Sequence, residues 1–304
     1  MQANAEQAER WNGPSGQYWI RHLNRHMAEH QNLTPHLFWA AGIMPGERVL
    51  DVGCGCGQTT IAAARTAHDG AGRGGALGLD LSAPMLDVAR RLTCRDAVAN
   101  VAFVQADAQA GPLRPGSCGV VISKFGVMFF ADPGAAFAAL AAATRVRGRL
   151  AFLCWQDDSR NEVFGIISRA VGVHIPAAPA APAGPAAGLF EDPGRITGLL
   201  SGCGWGHVQV TAVTEPAWIG SDLDDVMAYV RGMPRVRNLL ASLDDPALAG
   251  RALATMAAQY AERQRPDGVW VRAAAWLVTA SRAPGDGSLP QAGPSRAARS
   301  AGTP

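Results

Sequence analysis

The sequence predicts an α/β fold, a mostly parallel sheet covered by helices on both faces. Three observations carry that reading. Short apolar runs alternate with helical stretches through the first half of the chain. A glycine-rich turn, Gly53-Cys54-Gly55-Cys56-Gly57, joins the first apolar run to the first of these helices. The 304 residues, 48% of them hydrophobic, are enough to fill one large core or a core with an elaboration.

Residues 1–46 precede the first strand. They hold an aromatic cluster, Trp11, Tyr18 and Trp19, around Gly13-Pro14-Ser15-Gly16. A helical stretch follows in which His22, His26 and His30 recur every four residues and so share one face, read as a solvated helix face rather than a metal site. Residues 48–52 form a strand and 58–67 a helix. Strands follow at 76–80, 101–105, 119–123 and 149–155, with helices at 83–94 and 133–144, Ser82 being a good N-cap for the first of these. Residues 177–188, rich in alanine, proline and glycine, read as an extended loop. Asp192-Pro193 opens a short helix, and 208–213 alternates like a strand. Residues 221–263 read as two or three helices, and 269–281 returns to strand character. Helices set between two strands suggest a cap over the sheet. The tail from Pro284 has the composition of a disordered segment, and no internal repeat is present.

A net charge of +2 gives no field that would recruit nucleic acid or an anionic membrane. The six cysteines are scattered without paired CxxC spacing, as expected of buried thiols in a reducing compartment rather than of a zinc site. The first ten residues lack an apolar signal core, and the small-apolar stretch at 135–143 is too short to cross a bilayer. A soluble cytoplasmic protein without a membrane span is expected.

The glycine turn aims backbone N–H groups and a helix N-terminus at a ligand, as nucleotide-type cofactor sites do. A nicotinamide dinucleotide would prefer G-x-G-x-x-G, whereas the spacing here is G-x-G-x-G. Asp80 ends the second strand and suits ribose hydroxyls in either class. Asp51 places a carboxylate at the loop, which repels a pyrophosphate but suits a ligand with an ammonium group. Asp107, with the N–H of Ala108 after it, can read an adenine edge, and Met85 can pack on the adenine face.

With these residues in place, the chain resembles the class I S-adenosylmethionine-dependent methyltransferases. The matching stretches are VLDVGCGCGQTT, GLDLSAPMLDVAR, VAFVQADAQ, ISKFGVMFFADP and GRLAFLCWQ, in the family's order. The resemblance is nearest in character to the ubiquinone/menaquinone-type and small-molecule tailoring branch. It implies a Rossmann-like seven-stranded sheet with an antiparallel last strand, residues 208–213 and 269–281 forming the closing hairpin. It implies an N-terminal lid at 1–46, a methyltransferase domain at 47–282 with a helical cap insertion at 215–265, and a disordered tail at 283–304. By the same resemblance S-adenosyl-L-methionine is the cofactor. Asp51, Gly53 and Gly55 would surround its methionine part and Asp80, with Leu81 beside it, its ribose. Met85, Asp107 and Ala108 would frame the adenine, Ser123 would line the sulfonium region, and Tyr18 and Trp19 would close the lid. Lys124 stands where an arginine is expected.

Methyl transfer from a sulfonium is an in-line displacement, so the protein must align the acceptor, exclude water and, where needed, take a proton. Ser123-Lys124-Phe125-Gly126 replaces the Asn/Asp-Pro-Pro-aromatic run common in enzymes that methylate nucleobase amines. The acceptor expected is a small, largely apolar metabolite, a tailored natural product or a quinone-like ring. Its pocket would draw on Phe125, Met128, Phe129, Trp155, Met227 and Tyr229. Candidate bases are His22, His26, His174 and Asp157, none fixed by a motif. A nicotinamide oxidoreductase and a non-catalytic cofactor-binding partner protein are the rival readings. Monomer and homodimer both stay open.

Overall fold

A computed structural model describes residues 4–111, 113–173, 188–243 and 245–283. Four short helices lead in: α1 (Ala5–Asn12), α2 (Pro14–Arg21), α3 (Leu23–Glu29) and α4 (Thr34–Ala41). Then come β1 (Arg48–Val52), α5 (Gln58–Ala67), β2 (Gly75–Asp80), α6 (Ala83–Arg95), β3 (Val101–Gln105) and β4 (Cys118–Lys124). A single 3-10 turn at Val127–Phe129 precedes α7 (Pro133–Ala143), β5 (Thr144–Trp155) and α8 (Glu162–Gly172). The chain continues through α9 (Pro193–Gly202), β6 (Trp205–Gly220), α10 (Leu223–Gly232), α11 (Pro234–Ala241) and α12 (Pro246–Ala261), and ends with β7 (Gln264–Arg265) and β8 (Gly268–Arg282). Ser82, Asp132, Asp192 and Asp222 each accept a backbone N–H from the first turn of the helix they precede, which fixes where α6, α7, α9 and α10 begin.

The strands form one sheet in the order β3-β2-β1-β4-β5-β8-β6, with the two-residue β7 pairing to β8. Strands β1 to β5 are parallel, and β8 is antiparallel to both β5 and β6. The sheet is therefore mostly parallel with an antiparallel last strand, and β7 makes it eight-stranded rather than seven. Side chains alternate between two cores. Val49, Val120, Ile122, Ala151 and Leu153 face a cluster that includes Leu33 and Leu37 of the α4 segment, Ile166 of α8 and Tyr229 of α10. Leu50, Val121, Leu150 and Phe152 face the other side, against Phe137 and Leu140 of α7 and Leu200 of α9.

Three departures from expectation have physical causes. β6 runs well past 208–213, because Pro216 interrupts the apparent strand pattern yet is tolerated on the outermost strand, whose free side needs no donor. The expected cap at 215–265 thus begins in strand, and its helices start only at Leu223. α8 carries no helix signal in the reading above, since Gly165 and the β-branched Val163, Ile166 and Ile167 suit a strand as well. The loop expected at 177–188 lies, through residue 187, outside the described residues. So do His174 and, from residue 284, the expected tail.

Candidate cofactor and acceptor site

After β1 the chain builds outward to one side through β2 and β3, and after β3 it crosses to the other through β4 and β5. The carboxyl ends of β1 and β4 therefore flank a topological switch point, where open α/β sheets leave a crevice for ligands. The glycine turn lies there. A Cβ on Gly53 would sit 2.7 Å from Gly126 Cα, so the loops after β1 and β4 touch backbone to backbone. Gly57 (φ +82°) leaves no room beside Ala89 and the Phe103 ring, which a Cβ would meet at 2.7 and 2.8 Å. Gly57 is therefore a packing residue between loop, α6 and β3.

Asp51 lies beneath the loop with no exposed surface. Its Oδ2 accepts hydrogen bonds from the hydroxyls of Thr59 (2.6 Å) and Thr60 (2.7 Å), both in the first turn of α5. Burial pushes its carboxyl up to about 6 even though both threonine bonds pull it down. Its Oδ1 is buried with no partner, and so is Nε2 of Gln58, the residue that opens α5. An orphaned acceptor and an orphaned donor at one loop are complementary to a zwitterionic amino-acid end, the ammonium for Asp51 and the carboxylate for Gln58. The donor set thus fits S-adenosylmethionine. Nothing in the spacing of the glycines signals Gln58.

Asp80 holds the turn from the next strand. Its Oδ2 accepts the Gly55 N–H (2.7 Å) and its Oδ1 the Ser82 N–H (2.8 Å), leaving lone pairs for hydroxyl donors. Burial raises its carboxyl despite those bonds. Met85 is buried, its Cε 3.0 Å from where a Gly55 Cβ would lie, so it packs directly under the loop. The Asp107 carboxylate accepts from both the backbone N–H and the side-chain amide of Gln109, each at 3.0 Å. Gln109 thus occupies the kind of contact expected of an adenine amino group. Ala108 is buried beside Asp107.

Ser123 departs from its expected role. It is wholly buried, donates its hydroxyl to the Val52 carbonyl (2.7 Å) and accepts the Gly126 N–H (3.3 Å). With its hydroxyl committed to backbone, it stitches β4 to β1 rather than lining the sulfonium region.

The N-terminal helices lie over this end of the sheet. Asn12 donates to the Leu81 carbonyl (3.0 Å) and accepts from the Ala83 N–H (3.0 Å), and the Ser82 hydroxyl donates to the Trp11 carbonyl (2.7 Å). Tyr18 donates to the Tyr229 carbonyl (2.9 Å), and Arg25 reaches the Ile219 carbonyl and pairs with Asp225. The segment is thereby tied both to the turn after Asp80 and to the helices after β6. Trp19 stacks on His26 with ring centroids 3.8 Å apart.

The histidine row is therefore not a solvated face. His26 and His30 are 7% and 3% exposed, and Glu29 between them 4%. His26 Nδ1 lies 3.4 Å from Glu29 Oε2 and 3.3 Å from the Tyr229 hydroxyl, while burial holds His30 well below its ordinary value. The cause is tertiary: Trp19 covers one side and α10 the other. His22, at the edge, is lowered by burial and then by His26. Asp157 is held low, chiefly by hydrogen bonds from Ser159, which makes it a weak base. Among the described residues no group of three or more histidines, cysteines or acids gathers as a metal site would.

Of the expected acceptor-pocket residues, Phe125 and Trp155 stack face to face at 3.9 Å. Met128 Sδ accepts the Trp155 N–H, Phe129 meets Trp11, and Tyr229 lies against Tyr18. Met227 is buried in the core that includes Tyr229. His30 joins this group, its ring 4.9 Å from Phe125 and 5.4 Å from Trp155.

A glycine turn at a switch point, with acids closing the next two strands, defines a domain for a nucleoside-bearing cofactor. Residues 49–148 match the family described as a methyltransferase domain. An uncharacterised protein of Mycobacterium tuberculosis is 31% identical over 168 residues, 55% of this chain and 57% of its own length. The ubiquinone/menaquinone biosynthesis C-methyltransferase of Teredinibacter turnerae is 33% identical over 114 residues, 37% of this chain and 45% of its own. The chain thus spans about half the length of the curated relatives it matches. In fold it is similar to the crystal structure of a putative methyltransferase from Bacillus halodurans, with a TM-score of 0.55 and 15% identity over 84% of this chain and 100% of that one. The chain is thus similar to the methyltransferase domain family over residues 49–148 and to methyltransferases in fold. Among its described residues no helix is long and apolar enough to cross a membrane.

Proposed function

We propose that this chain transfers a methyl group from S-adenosylmethionine to a small, largely apolar acceptor. The observation that carries the reading is the pair of orphaned polar atoms at the glycine turn, Asp51 Oδ1 and Gln58 Nε2. They are what an amino-acid end needs and what a pyrophosphate does not. When bound, the cofactor supplies a methyl group already activated on a sulfonium. Asp51 and Gln58 would orient its amino-acid end, Asp80 its ribose, and Asp107 its base in place of Gln109. Residues 5–41 act as the lid that keeps water out. The stacked Phe125 and Trp155 support a planar, partly aromatic acceptor, as does the quinone-biosynthesis C-methyltransferase among the relatives.

The test is methyl transfer itself. Purified protein is incubated with methyl-deuterated S-adenosylmethionine and a metabolite extract, and products are sought by mass. A new species carrying the heavy methyl group is expected. Tight binding of the cofactor with no product across broad extracts would leave a binding protein and end the enzymatic reading.

A further inference from the structure

We infer that Lys124 is the counter-ion for an acidic oxygen on a planar acceptor, a phenol, enol or carboxyl group held as its anion. This rests on the methyl-transfer reading above. Lys124 is the only lysine in the chain and ends β4 at the switch point. By strand alternation its side chain leaves on the face of Val120 and Ile122, the face that also carries Val49 and therefore Asp51. It is part-buried, and among the described residues it makes neither a hydrogen bond nor an ion pair. Asp51 attracts it through space, but Asp51 Oδ2 is bonded to Thr59 and Thr60, and its unpartnered Oδ1 is the atom assigned above to the cofactor's ammonium. An ammonium drawn partly out of water without a paired anion is a site waiting for one.

The surroundings define what anion fits. Phe125, next in sequence, is held at φ +62°, a left-handed conformation that is strained for an aromatic residue. Its N–H is fixed to the Leu153 carbonyl at 2.9 Å, and its ring lies flat on Trp155, the planes 9° apart. That backbone conformation sets an aromatic wall one residue on from Lys124, at the end of β4. His30 closes the same corner as a neutral imidazole and adds no second positive charge. Flat wall and lone cation together select a conjugated ring bearing an ionisable oxygen.

The probe is para-nitrophenol, whose ionised form absorbs visible light, with nitrobenzene as its uncharged match, both offered to protein saturated with S-adenosylhomocysteine. Wild type is expected to bind the nitrophenolate about tenfold more tightly than nitrobenzene and to lower its pKa by about one unit. Lys124→Met loses both effects and Lys124→Arg keeps most of each. Melting curves of all three proteins check folding; if Lys124→Met does not fold, the wild-type preference and the arginine variant decide. Equal binding of the two probes by wild type, no binding of either, or an unchanged pKa shift in Lys124→Met overturns the inference. Stabilisation by S-adenosylhomocysteine, read on the same samples, tests the cofactor reading separately, so the two can fail independently.

Discussion

Asp51→Asn separates what the buried carboxylate does to the fold from what it does for the ligand. The carboxyl rises from an ordinary 3.8 to about 6, chiefly through burial. A group raised on folding stabilises the native state fully below its unfolded value, and that contribution is lost as pH climbs through the folded one. The whole window is worth about 3 kcal/mol. Between about pH 5 and about pH 7.5 roughly 1 kcal/mol of it disappears from the wild type. Asparagine does not titrate, and its Oδ1 can still accept from Thr59 and Thr60. The stability of the variant relative to wild type should therefore improve by about 1 kcal/mol across that interval, about 2 °C in Tm for a domain of this size. Lys124, brought down by burial to about 8, titrates above the interval. With ligand the order reverses. Saturation at one hundred times Kd stabilises wild type by about 2.7 kcal/mol. Loss of one charge-assisted hydrogen bond removes roughly 1.5–3 kcal/mol of affinity and so most of that stabilisation. Melting curves at the two pH values, with and without S-adenosylhomocysteine, read both effects. A gap that does not move with pH, together with undiminished ligand stabilisation, would refute the reasoning.

Three further outcomes follow from the same geometry. Asn12→Ala removes both bonds to the turn after Asp80, so hydrogen exchange should quicken across residues 5–29 and ligand affinity should fall by about tenfold, with little loss in global Tm; unchanged exchange there would show that the N-terminal segment is held by other contacts. Gly57→Ala forces a methyl group against Ala89 and Phe103 at an unfavourable φ and should destabilise the fold by about 2–4 kcal/mol in denaturant titrations. Reductive methylation with labelled formaldehyde should give a single side-chain amine signal by NMR, since Lys124 is the only lysine, titrating near about 8 rather than near 10.5; an ordinary lysine value would show that burial does not govern it.

The parts of the fold written in adjacent residues were legible, and the parts made by contact across the chain were not. Strand, glycine turn and helix are contiguous from Arg48 to Ala67, and Asp80 follows the next apolar run. The tie between Asn12 and the Leu81–Ala83 turn spans about seventy positions and has no local signal. The histidine row shows the same limit. A period of four places His22, His26 and His30 on one face, but what covers that face is Trp19 and, some two hundred residues on, Tyr229. Ser123 misled for a related reason: its place after β4 suggested a site residue, whereas its partners Val52 and Gly126 come from sheet neighbours and a tight turn. Lys124 was visible as an oddity, and only the strand's facing puts it on the same side of the sheet as Asp51.

The central claim is that the turn at the β1–β4 crevice takes an amino-acid-bearing nucleoside rather than a dinucleotide. Isothermal titration calorimetry with S-adenosylhomocysteine and with NADH tests it most directly. The account predicts saturable 1:1 binding of S-adenosylhomocysteine that weakens in Asp51→Asn, and no heat from NADH. Binding of NADH with none of S-adenosylhomocysteine would contradict it.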